Sequence, residues 1–188
     1  MPANFPPIIL ASKSPRRQEL LNLMGLAFKV ELKDVDESYP SDLSPAEIAV
    51  YISEKKARAF TAAGEIVITA DTIVALNGEI LGKPTDREHA QQMLKKLSGS
   101  KHEVFTGVTL AKEGQMHSFY DRTVVHCRAA TVEEIDFYID NYKPFDKAGS
   151  YGVQDWWGIV VVERIEGSYT NVMGLPTEKL YNELLKFI

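Results

Sequence analysis

Residues 65 to 81 restrict the fold more than any other segment of the chain. Glu65-Ile66-Val67-Ile68-Thr69-Ala70 reads as a central strand that continues through Thr72 to Leu76, and Asn77-Gly78 is a two-residue hairpin signal before Glu79-Ile80-Leu81. Within this apolar run stands one carboxylate, Asp71. Charged side chains are rarely buried alone, so Asp71 must lie at a strand end, be paired, or be functional.

Around this strand, apolar runs alternate with capped helical patterns. Ile8-Ile9-Leu10-Ala11 reads as a short buried strand, and Ser14-Pro15 opens a helix that turns Leu20, Leu21, Leu23 and Met24 inward and ends at Gly25. Ser44-Pro45-Ala46-Glu47 combines an N-cap, a proline at the first helical position and a capping-box glutamate; the helix it starts runs to about Phe60, with Lys55, Lys56 and Arg58 at its dipole-favoured basic end. Thr85-Asp86-Arg87-Glu88 caps a third helix to about Leu97. Two strand-like stretches follow, about His102 to Ala111 and Ser118 to Ala129, joined around Glu113-Gly114. The capping box Thr131-Val132-Glu133-Glu134 then starts a helix to about Tyr142. A strand near Ile159 to Arg164 and a helix after Pro176 complete the chain. Hairpins and crossovers both occur, so the expected class is a mixed-sheet α/β or α+β fold.

The 188 residues show no tandem repeat or Gly/Ser-rich linker and are read as one domain, 1–188. A chain of this size buries roughly 70% of its unfolded surface, enough for an apolar core without metal or disulfide. With 21 Lys+Arg against 26 Asp+Glu, the net charge of −5 supplies no global field for nucleic-acid polymers. The single cysteine, Cys127, suits a reducing compartment. The stretch Met1-Pro2-Ala3-Asn4-Phe5-Pro6-Pro7 has no basic character of a leader, and no long apolar segment follows, so the expectation is a cytoplasmic protein without a membrane partner.

Local clusters depart from this acidic average. In Ser12-Lys13-Ser14-Pro15-Arg16-Arg17 a strand feeds a helix N-terminus, placing two hydroxyls and three cations beside unpaired backbone N–H groups. That is an anion cradle or an ordinary capped helix with solvated arginines; the glycines of a Walker A loop are missing. Lys83 in Gly82-Lys83-Pro84 is a cation at a turn. In Lys147-Ala148-Gly149-Ser150-Tyr151-Gly152-Val153-Gln154, two glycines allow close backbone approach, and Gln154 can both donate to and accept from a nucleobase edge. A ligand-free turn would look much the same. Gly167-Ser168-Tyr169 to Gly174-Leu175-Pro176 is a further glycine-punctuated loop. His126 and Cys127, adjacent on a strand, point to opposite faces, and no Cys/His spacing suits zinc. Trp156-Trp157 suits core packing or a partly exposed interface.

Taken in order, Leu10-Ala11-Ser12-x-Ser14-Pro15-Arg16-Arg17, Ala70-Asp71-Thr72-Ile73-Val74, Gly82-Lys83-Pro84, Lys147 to Gln154, and Gly167-Ser168-Tyr169 to Gly174-Leu175-Pro176 resemble the Maf family of nucleotide pyrophosphatases over nearly the whole chain. The resemblance implies an elongated, two-lobed, mixed-sheet α/β fold related to inosine triphosphate pyrophosphatases, with a central cleft, in a protein that is often a homodimer. It also implies metal-dependent hydrolysis of a nucleoside triphosphate to the monophosphate and pyrophosphate. At Arg16, Thr72 and Gln154 the sequence is similar to the branch acting on dTTP and UTP, a range that takes in modified pyrimidine nucleotides.

The same resemblance implies roles for particular residues. Asp71 is the expected proton acceptor, and Glu37, in Asp36-Glu37-Ser38, joins Asp71 as an expected ligand of Mg²⁺ or Mn²⁺. Ser12, Ser14, Arg17, Lys56 and Lys83 are expected to bind phosphate. One departure stands out: the family commonly follows the loop glutamine with glycine, whereas this chain has Asp155, which is either an added carboxylate that repels or selects substrate groups beside Gln154 or, by alternation along an extended loop, a side chain sent away from it. The alternatives are the same reaction on another nucleotide, or a non-catalytic cell-division regulator.

Overall fold

A computed structural model describes residues 5–60 and 64–188; of the N-terminal stretch read above as lacking a leader's basic character, residues 1–4 lie outside them. One seven-stranded mixed sheet organises the chain. Its strands are β1 (Ile8–Leu10), β2 (Phe28–Val30), β3 (Ile66–Leu76), β4 (Glu79–Leu81), β5 (Lys101–Lys112), β6 (Gln115–Cys127) and β7 (Val162–Glu166), in the order β2-β1-β3-β5-β6-β7 with β4 also on β3. The pairs β1–β2 and β1–β3 are parallel, joined by crossovers, and the other four pairs are antiparallel, β3–β4 and β5–β6 as hairpins. The helices are α1 (Pro15–Leu23), α2 (Pro45–Arg58), α3 (Arg87–Leu97), α4 (Val132–Tyr142), α5 (Trp156–Val160), α6 (Tyr169–Met173) and α7 (Thr177–Phe187).

Strand β3 has one continuous neighbour and one interrupted one. Along one edge β5 pairs with Val67 to Ala75 without a break. On the other edge β1 pairs with Ile66 to Ile68 and β4 with Val74 to Leu76, so the residues between have no strand beside them. Asp71 and Thr72, in that gap, are the two β3 residues that are not buried. The carboxylate in the apolar run thus sits where the sheet itself opens.

Period-two alternation then divides the neighbours of β3. Ile66, Ile68, Ala70 and Val74 join the main core with Leu94, Tyr138, Trp157 and Leu184, whereas Ile73 and Ala75 pack with Ile48, Ala49, Ile52 and Phe105 under α2. Helix α2 lies hard against β5: a Cβ on Gly107 would fall 2.3 Å from the backbone carbon of Ala49. Ser53 on α2 is tied to the sheet by its carbonyl, which accepts from Thr69 Oγ1 at 2.6 Å. Capping boxes at Ser44 and Thr131 and an Asp86 cap form at the expected helix starts.

Three expectations are corrected. Leu23 is 76% exposed, because it falls off the face that buries Leu20 and Leu21. The strand expected from Ile159 begins only at Val162: Trp156–Val160 is helical, since burying Trp157 in the main core outweighs the β-propensity of residues that leave Ile159 76% exposed. The loop after Gly167 contains α6, capped by Ser168 Oγ accepting from Asn171 N–H and ended by Gly174 at φ 116°. The three-residue edge strand β2 carried no sequence signal. Among the described residues, no helix is long and apolar enough to cross a membrane.

Behind the loop that precedes Gln154, His102 on β5 is 1% exposed and its Nε2 lies 2.7 Å from Tyr151 Oη. Burial, with a smaller push from His126, lowers its pKa from the usual 6.5 to about 4. Below pH 6.5 the unfolded chain takes up a proton that folded His102 refuses, so stability should fall by about 3 kcal/mol as pH drops to about 4. Chemical denaturation across this range is expected to show a flatter profile for His102→Gln; an unchanged slope would assign the loss to other groups.

Candidate active site

The gap in the β3 edge opens into a cavity of about 440 Å³, a size suited to a small-molecule ligand. All ten residues singled out in the sequence line it: Ser12, Ser14, Arg16, Arg17, Glu37 and Lys56, with Asp71, Thr72, Lys83 and Gln154. Seven cationic residues line it against four carboxylates, a local reversal of the chain's acidic balance.

Its floor is the turn from β1 into α1. Ala11 N–H still bonds to Ile68 O at 2.9 Å, after which the chain leaves the sheet and becomes α1. Ser12 Oγ accepts from Ser14 N–H at 3.2 Å, and Ser14 holds the N-cap position without making a side-chain cap bond. No acidic residue lies in the first turn of α1, so its N-terminal N–H groups and dipole face the cavity unopposed by a carboxylate of their own helix.

The two arginines have different surroundings. Arg16 is near the surface and pairs with Asp146 at 3.2 Å. Arg17 reaches into the gap, where its NH1 donates to Ala70 O at 2.9 Å and Ser12 Oγ at 3.2 Å, its NH2 to Thr72 Oγ1 at 3.0 Å, and its Nε to Gly174 O at 2.7 Å. Four of its five N–H donors therefore go to the protein, leaving one for a ligand. Burial lowers the Arg17 pKa, with the charge of Asp71 opposing that shift.

Opposite side-chain directions at consecutive positions separate Asp71 from Thr72. Thr72 turns toward Arg17 and Thr106, whereas Asp71 turns toward α2 and accepts from Lys56 Nζ on Oδ1 at 2.7 Å. The same ammonium lies 2.8 Å from Glu37 Oε1. Partial burial works to raise the Glu37 pKa, but the Lys56 hydrogen bond and the charges of Lys56, Lys83 and Arg17 outweigh it, and the net shift is downward. Two carboxylates thus converge on one cation. Among the described residues no third Asp, Glu, His or Cys joins a metal-ligating group.

The loop after α4 forms the facing wall. Its Lys147, in the sequence only the first residue of a glycine motif, is 12% exposed at the side chain, lines the cavity and pairs with Asp146 at 2.8 Å. Its signal is that same motif, a cation two residues before the first of two glycines, Gly149 and Gly152. Gln154 departs from expectation in one respect. Its side chain is not sent away from Asp155: Nε2 donates to Asp155 Oδ1 at 3.1 Å, because Asp155 leaves the extended loop to become the N-cap residue of α5.

The family model described as Maf-like protein matches residues 7–187. A protein of Bacteroides thetaiotaomicron named dTTP/UTP pyrophosphatase is 53% identical over 183 residues, covering 95% of each chain. One of the same name from Porphyromonas gingivalis is 45% identical over 186 residues, covering 96% of this chain and 94% of its own. In fold, the chain is similar to a HAM1 protein from Coxiella burnetii, with a TM-score of 0.53 at 16% identity over 96% of this chain and 98% of that one. The Ham1 protein of Staphylococcus aureus gives a TM-score of 0.51 at 17% identity, over 94% and 99% of the two chains.

The contrast between the arginines is testable by denaturant unfolding together with nucleotide binding. Arg17→Ala is expected to destabilise the fold by about 2–4 kcal/mol, because it strips donors from partly buried carbonyls. Arg16→Ala, which breaks an exposed pair, should change stability by less than about 1 kcal/mol while weakening binding of a triphosphate. Equal stability losses would overturn this division.

Proposed function

The chain belongs to the Maf family, and from that membership we propose that it hydrolyses dTTP and UTP to the nucleoside monophosphate and pyrophosphate. The observation that carries this reading is the Asp71–Lys56–Glu37 triad beside the cation-rich cavity. It supports a reaction in which polyphosphate is gathered by cations and water is activated by a carboxylate.

Arg16, Lys83 and the N-terminal N–H groups of α1 receive the phosphates, with the hydroxyls of Ser12 and Ser14 beside them and the last N–H of Arg17 behind. Lys56 holds Asp71 by Oδ1, and among the described residues no hydrogen bond occupies Asp71 Oδ2. That oxygen takes the proton of the attacking water. Thr72 and Gln154 lie along the same cavity as specificity residues, and the range extends to modified pyrimidine nucleotides.

The donor set fits Mg²⁺ or Mn²⁺, since Glu37 and Asp71 offer hard oxygen ligands close enough to share one ammonium, and Mg²⁺ needs only one or two carboxylates when phosphates and water complete its shell. When bound, such an ion lowers the charge on the phosphates and the pKa of a coordinated water. Lys56 then has a second duty, keeping the two carboxylates together before substrate arrives.

We read residues 1–188 as a single domain in a cytoplasmic protein, a homodimer as the family resemblance suggests. Burial of Cys127, which raises its thiol pKa to about 11, is in keeping with a cysteine that packs and does not react. Light scattering at the 21.0 kDa monomer mass would overturn the dimer.

A nucleotide panel with pyrophosphate release, run with and without Mg²⁺ or Mn²⁺, tests the function. Turnover of dTTP and UTP is expected, with activity confined to purine triphosphates sinking the reading. The nearly isosteric Asp71→Asn should lose at least a thousandfold in kcat while unfolding like the parent. Near-native turnover by that variant would remove Asp71 from both the proton and the metal roles.

A further inference from the structure

Beside the cavity, Gln154 presents an amide whose two ends are treated differently. Its Nε2 donates to Asp155 Oδ1 at 3.1 Å, while its Oε1 is closed to water and has no partner among the described residues. A buried acceptor left unpaired is unfavourable in the free protein, which marks it as a place for a donor from elsewhere.

Asp155 is itself held. Its Oδ2 accepts from Tyr138 Oη at 3.1 Å, and that same hydroxyl oxygen accepts from Gly152 N–H at 3.0 Å. With Gly152 donating to it, the tyrosine hydroxyl must aim its one hydrogen at Asp155. Gly152 also provides the room: a Cβ there would stand 2.6 Å from Asp155 Oδ2 and 2.8 Å from Gln154 Nε2. Tyr138, Gly152 and Asp155 thus form a chain of contacts ending on one side of the Gln154 amide.

A primary amide can read either pyrimidine edge, but only by turning over. Thymine and uracil offer a donor at N3 and an acceptor at O4; cytosine offers an acceptor at N3 and a donor at N4. A carboxylate only accepts, so Asp155 keeps the Gln154 NH₂ on its own side and forbids the turn. We propose that Asp155 is the positioning residue that makes Gln154 read thymine and uracil and reject cytosine. This rests on the dTTP and UTP reading above, which supplies the edge that the held amide matches.

Asp155→Asn supplies a sharp test. Tyr138 still directs its hydrogen at an oxygen, so the new NH₂ falls where Oδ1 stood and donates to Gln154 Oε1, turning the amide over. The ratio of kcat/KM for dTTP to that for dCTP is expected to fall at least tenfold, with an absolute gain on dCTP. A merely loosened loop would lower both substrates together and would overturn the proposal. In a Gln154→Ala background the Asp155→Asn change should no longer alter the ratio; a change that persists would show that Asp155 acts without Gln154, again overturning it. Tyr138→Phe, which removes the hydrogen bond to Oδ2 and leaves Lys147 Nζ at 3.7 Å as the remaining partner of that oxygen, is expected to relax the ratio in the same direction by a smaller factor, and an unchanged ratio counts against the proposal even if Asp155→Asn fails to fold. A parent enzyme that turns over dTTP and UTP no faster than dCTP would sink the substrate reading together with the inference. A parent with that preference whose variants all retain it would sink the inference alone.

Discussion

The guanidinium of Arg17 occupies a place where a β-strand would otherwise be. Strand β1 stops pairing with β3 at Ile68 and β4 resumes at Val74, so the Ala70 carbonyl on that edge has no ladder partner. Arg17 supplies one, and with its remaining donors ties in Thr72, the Ser12 turn and the Gly174 carbonyl that ends α6. A sheet can hold an opening at its centre only if the freed backbone groups are satisfied. That requirement explains why a charged residue is drawn partly under the surface here, and why three segments distant in sequence meet at one point.

Once the opening exists, strand geometry distributes the chemistry around it. Asp71 and Thr72 are neighbours in sequence but turn to different faces, the first toward Lys56 on α2 and the second toward Arg17 on α1. The position of α2 is in turn set by backbone contact at Gly107, where no side chain could be accommodated. That close approach, with the Ser53–Thr69 bond, holds α2 on the sheet where Lys56 can reach Asp71. The same economy of space recurs at Gly152, whose missing side chain lets Asp155 and Gln154 meet.

Much of this was legible in the residues. Long elements with strong signals, such as the apolar β3 run with Asn77-Gly78 and the Ser44 and Thr131 capping boxes, form where pattern and local chemistry agree. The short ones were hidden. Helix α5 carries a β-branched sequence and is helical because Trp157 is drawn into the core, while β2 and α6 are each too short for periodicity to register. The candidate site was legible as a set of motifs, and all ten of its residues line one cavity. Lys147 and the Tyr138–Asp155–Gln154 contacts were not, since they depend on which side chains face one another across a loop.

By itself, the sequence determined that this chain builds a mixed sheet around one long apolar strand, that the strand carries a carboxylate needing a partner, and that cations gather at a few motifs despite a net charge of −5. These follow from local pattern and composition. Tertiary structure alone decided that Arg17 spends most of its donors on the fold, that one lysine bridges Glu37 and Asp71, and that Asp155 turns toward Gln154. Each is a contact between residues whose directions are set by the strand or helix carrying them and by its packing, and a linear sequence records neither.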